Sequence, residues 1–166
     1  TELESNLSEA GKQELYDKVS SVARMVNVSY IRQKHALGLG HAVLCAAPWV
    51  GDECFAVSLA DELIVADVSA MQQLRAVHEQ TGALVIALAR VPKIEVNRYG
   101  MVDAVDEGGL LRLKSMVEKP AIGEAPSDLA MIGRYIFTPR LFELLESTER
   151  GAGGEIQLTD AIARLA

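Results

Sequence analysis

Cysteine is scarce: the 166 residues contain only Cys45 and Cys54, both in apolar surroundings and without CxxC spacing. Two thiols so placed make neither a disulfide framework nor a zinc cluster, and they read as buried thiols in a reducing compartment. Basic residues are also few, 16 Lys and Arg against 23 Asp and Glu, for a formal net charge of -7. With no basic run, that balance argues against nucleic acid or an anionic membrane as the main partner. An anionic small ligand is still compatible, because one or two placed cations, a helix N-terminus or a metal ion can hold it locally. Long apolar runs are lacking too. Stretches such as Ala83 to Ala89 are far too short to cross a bilayer, and no signal-peptide pattern opens the chain, so cytoplasm is the expected location. The three histidines form no HExxH and no serine is framed as GxSxG, so neither hydrolytic class finds support.

What is present is an apolar half, 49% of the residues, in a chain the size of one domain, and a single domain over residues 1–166 is expected. Because the chain starts at Thr1 and stops at Ala166 inside an apparent helix, an excerpt of a longer protein is also expected. Leu15, Val19 and Val22 recur at helical spacing between Ser8 and Arg24, and Val26, Val28 and Tyr30 then alternate as in a strand. A short helix from Ala42 is expected to stop at Pro48. Cys54 to Leu59 reads as a strand covered on both faces, and Ala83 to Val91 as another. Between them Asp67 or Ser69 can cap a helix from Ala70 to Gln80, ended by Gly82. Asp106-Glu107-Gly108-Gly109 has hairpin chemistry between Gly100–Val105 and Leu110–Val117, and Leu129 to Phe137 is a further strand. Thr138-Pro139 and Thr159 each fit the start of a helix. The sum is an α/β sandwich with a mixed sheet, because helical crossovers imply parallel neighbours while the hairpin supplies an antiparallel pair.

Several residues can carry chemistry, each with a plainer reading beside it. Gly38-Leu39-Gly40 offers two positions without a Cβ at the mouth of a helix, where a flat ligand or a backbone could approach closely, yet a flexible turn explains them equally. Asp61 follows an apolar strand, where open α/β sheets gather ligands, and could hold Mg²⁺ with phosphate oxygens or simply satisfy a turn. Glu118-Lys119-Pro120 places an acceptor and a cation at a strand end, suited to sugar hydroxyls and a phosphate or to plain solvent. Gly133 interrupts a strand, which calls for a bulge or a close ligand, whereas Gly100 beside Tyr99 fits turn geometry. Gln33 carries an amide that could donate to and accept from adjacent atoms of a uracil edge, although surface glutamines are common.

Taken in order, Arg32-Gln33, Gly38 to Val43, Val50 to Glu53, Asp61, Tyr99-Gly100, Val117 to Pro120, Ala125 to Ser127, Gly133 to Tyr135 and Gly153 to Ile162 resemble the bacterial UTP-glucose-1-phosphate uridylyltransferases. VEKP is widespread among sugar-nucleotide pyrophosphorylases, while GLGHAV with GEIQLTDAI is more specific to this branch. The resemblance covers Leu3 to the last residue and implies an incomplete nucleotide-diphospho-sugar transferase fold, an α/β three-layer, Rossmann-like sandwich with a mixed, mostly parallel sheet. It implies that UTP and glucose-1-phosphate are the substrates and that UDP-glucose and pyrophosphate form by in-line attack on the α-phosphorus. It further implies that Gln33 and Gly38 contact uracil, Asp61 binds Mg²⁺, Gly100 and Gly133 line the glucose side, Glu118 holds sugar hydroxyls and Lys119 the sugar phosphate. Asp61 and Lys119 would thus be the catalytic pair, in an enzyme that is often oligomeric. Nothing here corresponds to the family's GxGTRxxPxTK triphosphate loop or to its later metal-binding aspartate, so this chain alone is expected to be inactive. Ala60 stands where proline is usual, and Arg98 precedes Tyr99-Gly100. A thymidylyltransferase or a non-catalytic sugar-nucleotide-binding module are the competing readings.

Overall fold

A computed structural model of the chain describes residues 2–165. Two compact units divide between Arg32 and Gln33. The first is a pair of helices, α1 (Glu2–Glu9) and α2 (Gln13–Met25). Gly11, at φ 65°, makes the break between them that helical spacing from Ser8 onward did not reveal. Ser20 is buried and donates from Oγ to Glu4 Oε1 at 2.9 Å. The expected strand over Val26 to Tyr30 is absent. Its side chains alternate, but a strand exists only where its N–H and C=O groups meet a partner, and no described strand pairs there.

The second unit carries α3 (Leu39–Leu44), α4 (Ala47–Val50), β1 (Phe55–Ser58), α5 (Ala70–Thr81), β2 (Val85–Arg90), a 3₁₀ segment (Lys93–Arg98), β3 (Gly100–Asp106), β4 (Leu111–Glu118), β5 (Leu129–Phe137), α6 (Arg140–Glu146) and α7 (Leu158–Ala163). Pro48 does not stop a helix but sits in the first turn of α4, where its missing N–H costs nothing. Ser69, rather than Asp67, caps α5: its Oγ accepts from Gln72 N, and Gln72 returns the bond, a capping box contributing about 1 kcal/mol. Gly82 ends α5 at φ 67°. Neither Thr138 nor Thr159 caps a helix with its side chain; α6 follows Pro139 directly and α7 follows Gln157.

The sheet corrects the expectation of mostly parallel strands, since every pairing among the described residues is antiparallel. The β1–α5–β2 crossover does return β2 parallel to β1, but β5 lies between them. Ile136 pairs with Ala56 on one side and Val85 on the other, and Ala130 pairs with Met101 and Ala89. Hence β1 and β3 share one edge of β5 while β2 takes the other. A crossover fixes direction, not adjacency, so the later strand could insert. Nor is β1 covered on both faces: Ala56 and Ser58 are exposed, because small residues lengthen an apolar run without requiring burial. Cys54, just before β1, is likewise exposed rather than buried.

The core centres on the C-terminal half of β5 and on α6 and α7, where Phe137, Leu141, Leu145 and Ile162 are fully buried. Phe55 stacks on Phe142 at 4.7 Å between ring centroids. This packing anchors one end of β5, so that its bulged middle and the neighbouring strand ends frame a cleft.

Candidate functional site

The bulge is the first determinant of the cleft. Tyr135 pairs with Ile86 and Met131 with Leu88, so β5 uses four steps (131 to 135) where β2 uses two (86 to 88). Gly133, at φ 63°, lies in the surplus, a conformation that favours glycine. A Cβ there would stand 3.0 Å from Leu59 Cβ, and Leu59 N donates to Gly133 O at 2.9 Å. Of the two explanations for this glycine, the bulge and the close approach of Leu59 satisfy it. Next in β5, Arg134 reaches across the end of β1: its Nη1 donates to Leu59 O at 2.7 Å and its Nη2 to Glu62 O. The guanidinium therefore ties down the turn that carries Asp61.

Around this frame a cleft of about 450 Å³ opens, and Asp61, Gly100, Glu118, Lys119 and Gly133 all line it. Five of the seven residues picked from sequence thus converge. Glu118 closes β4, and Lys119 follows at φ 43°, the one non-glycine at positive φ among the described residues. Successive strand residues point to opposite faces. The left-handed turn at Lys119 breaks that alternation and lets both side chains line one cleft, at a backbone cost of roughly 1 kcal/mol. Lys119 N donates to Tyr99 O at 3.0 Å, which holds the turn. Its Nζ lies 3.5 Å from Glu118 Oε1, while Thr159 donates from Oγ1 to Glu118 Oε2 at 2.6 Å.

Gln33 and Gly38 sit apart from that lining but together. Gln33 Nε2 donates to Gly38 O at 3.1 Å and lies 2.9 Å from His41 Nδ1. With its nitrogen so engaged, the amide offers its oxygen as acceptor, not the donor-acceptor pair expected from sequence. Leu39, the residue after Gly38, does line the cleft. The two glycines flanking it face residues 155 and 156 rather than open space: a Cβ at Gly38 would lie 2.7 Å from Glu155 Cβ and 3.0 Å from Ile156 O, and one at Gly40 would lie 2.6 Å from Ile156 O.

Sequence reasoning missed Thr159, Tyr135 and Arg134 as site residues. Thr159 stood in the quoted GEIQLTDAI run, but as a helix start, and its spacing gave no hint of a partner 41 residues away. Tyr135 lines the cleft and is buried. Burial pushes its phenol above the ordinary value, the carboxylates Glu118, Glu62 and Asp61 add to the rise, and a backbone hydrogen bond at Gly133 offsets part of it. An acid whose folded pKa is raised favours the folded state less as pH climbs past its unfolded value near 10. Spectrophotometric titration is therefore expected to show a late tyrosine ionisation that Tyr135→Phe removes, and the same substitution to flatten the alkaline limb of the stability curve.

No group of three or more His, Cys, Asp or Glu side chains able to hold a metal occurs among the described residues. Asp61 offers one exposed, hard carboxylate in the cleft. That donor set fits a cation such as Mg²⁺, which takes one or two carboxylates and fills its remaining positions with phosphate and water. It does not fit a caged structural metal.

The nucleotidyl transferase family model matches residues 2–166. A UTP–glucose-1-phosphate uridylyltransferase of Bacillus subtilis (strain 168) is 49% identical over 165 residues, which is 99% of this chain and 56% of that protein. The chain thus spans little more than half the length of this relative. A crystal structure of UDP-glucose pyrophosphorylase complexed with UDP-glucose superposes with TM-score 0.78 at 43% identity, covering 82% of this chain and 53% of that one. A UTP-bound enzyme of the same kind from Acinetobacter baumannii gives TM-score 0.80 at 39% identity, covering 99% and 58%. The chain belongs to the nucleotidyl transferase family.

Proposed function

We propose that this chain supplies the sugar side of a UTP–glucose-1-phosphate uridylyltransferase, which joins UTP and glucose-1-phosphate into UDP-glucose and pyrophosphate. The observation that carries the reading is the placement of Glu118 and Lys119, adjacent in sequence, on one cleft. A carboxylate and an ammonium side by side suit a sugar ring with its phosphate: Glu118 accepts from ring hydroxyls, and Lys119 donates to phosphate oxygens. Relatives whose structures hold UDP-glucose and UTP support the same substrates. Gly100 and Gly133 line the glucose side. Gln33 accepts from uracil N3–H through its free oxygen, with Gly38 beneath the base. The match across residues 2–166 supports one nucleotidyltransferase domain. A cytoplasmic oligomer is the setting the reading implies.

In this reaction a phosphate oxygen of glucose-1-phosphate attacks the α-phosphorus of UTP, a new P–O bond forms, and the bond to pyrophosphate breaks with the electron pair leaving on pyrophosphate. No covalent enzyme intermediate is required. Catalysis is positioning and charge neutralisation. Mg²⁺, held by Asp61, would neutralise phosphate charge when bound. Lys119 holds the sugar phosphate in line, and Glu118 fixes the ring so that its anomeric phosphate points toward the nucleotide. The GxGTRxxPxTK run is not among these residues, so binding of product, rather than turnover, is the property to test.

Calorimetric titration with UDP-glucose, with and without Mg²⁺, provides that test. Saturable binding that strengthens with Mg²⁺ in the parent sequence but not in Asp61→Asn is the expected result. A folded chain that shows no saturable binding would remove the sugar-nucleotide reading of the cleft.

A further inference from the structure

Resting on that reading, we propose that Thr159 is a positioning residue for the sugar: its hydroxyl fixes the Glu118 carboxylate in the one orientation that presents the remaining lone pairs to sugar hydroxyls. Thr159 is only 6% exposed, and its single O–H is spent on Glu118 Oε2 at 2.6 Å. A carboxylate has about four acceptor positions, so one bond to Thr159 leaves the others for ligand. Lys119 holds the other oxygen only at 3.5 Å from an exposed, flexible stem, which cannot set a rotamer. Thr159, by contrast, stands on α7 between buried Leu158 and Ala161, and α7 packs on β4. The hydroxyl is thus as fixed as the core.

Gly100 completes the device. A Cβ at this position would lie 3.1 Å from Glu118 Oε2, 3.3 Å from Thr159 Oγ1 and 2.3 Å from Met131 Cε. Its φ is not in the left-handed region, so turn geometry does not demand glycine here. A side chain here would displace the Met131 methyl and crowd both oxygens of the Thr159–Glu118 bond. Gly100, Thr159 and Glu118 thus pack against one another, which connects a buried hydroxyl to a braced carboxylate that the reaction outline alone leaves unconnected.

The test compares UDP-glucose with UDP, because only the former has the sugar that Glu118 would hold. Thr159→Val keeps the volume and deletes the donor. It is expected to weaken UDP-glucose binding roughly tenfold, the effect of one charge-assisted hydrogen bond, while UDP binding changes by less than about twofold. Thr159→Ser should restore the difference, and in a Glu118→Ala background Thr159→Val should change nothing further. Thr159→Ala serves in the same comparison should circular dichroism show Thr159→Val unfolded. Equal losses for UDP-glucose and UDP, or an unchanged UDP-glucose affinity in a folded variant, would overturn the positioning role while leaving the cleft a sugar-nucleotide site. A parent chain that binds UDP but gains nothing from the glucose would overturn both.

Discussion

Replacing Lys119 with alanine is expected to weaken UDP-glucose binding by roughly thirty- to a hundredfold, the equivalent of one or two lost charge-assisted hydrogen bonds to phosphate. Stability should hardly move. The ion pair with Glu118 spans 3.5 Å and the lysine side chain is 60% exposed, so solvent screens it and its contribution to folding is about 0–1 kcal/mol at most. Alanine also keeps the left-handed strain at φ 43°, which separates loss of the ammonium from loss of the turn. Lys119→Gly would relax the strain and should bind no better than Lys119→Ala. The same reasoning gives a salt dependence, because an exposed ammonium facing phosphate is screened as ionic strength rises. Titration of the variants at two salt concentrations checks all of this, and an affinity for Lys119→Ala within threefold of the parent would remove Lys119 from the phosphate.

Much of this site was legible in the sequence because its parts are punctuated. Asp61 follows an apolar run and Glu118-Lys119-Pro120 ends one, so each announces a strand terminus, where side chains converge, while Gly133 breaks a run and announces the bulge inside β5. The strands β3, β4 and β5 were readable for the same reason, being bounded by turn residues and by β5's own length. What could not be read was partnership. Alternation placed a strand at Val26 to Tyr30, but the ladder that would make it one depends on a neighbour and not on the segment itself. The antiparallel insertion of β5 between β1 and β2 is invisible locally, since either neighbour would present the same apolar pattern. Thr159 shows the limit most clearly: as a helix-start residue it satisfies local rules, and only the packing of α7 on β4 turns its hydroxyl toward Glu118.

Gly40→Ala is expected to destabilise the chain by about 3 kcal/mol, lowering Tm by roughly 10 °C. Two effects compete here, and their sizes decide the sign. Gly40 lies within α3, where alanine would ordinarily stabilise by about 1 kcal/mol through helix propensity. The new Cβ, however, would stand 2.6 Å from Ile156 O and 2.9 Å from Leu145 Cδ2. The leucine methyl can swing away, but the carbonyl cannot, because Gly40 N donates to that same oxygen at 3.0 Å while Ile156 N donates to Leu37 O at 2.7 Å. Relieving the clash therefore requires lifting the 155–156 backbone off α3 and breaking both bonds, so overpacking outweighs propensity. The displacement has a functional consequence as well. Residue 156 leads within two residues into α7, which carries Thr159, so a shift there moves the hydroxyl away from Glu118. Gly40→Ala should accordingly reduce the preference for UDP-glucose over UDP, although residue 40 does not line the cleft. Thermal denaturation and paired titrations measure the two effects separately. An unchanged or raised Tm would mean that the 155–156 backbone does not rest on α3, and a lowered Tm with full retention of the sugar preference would uncouple that contact from the position of Thr159.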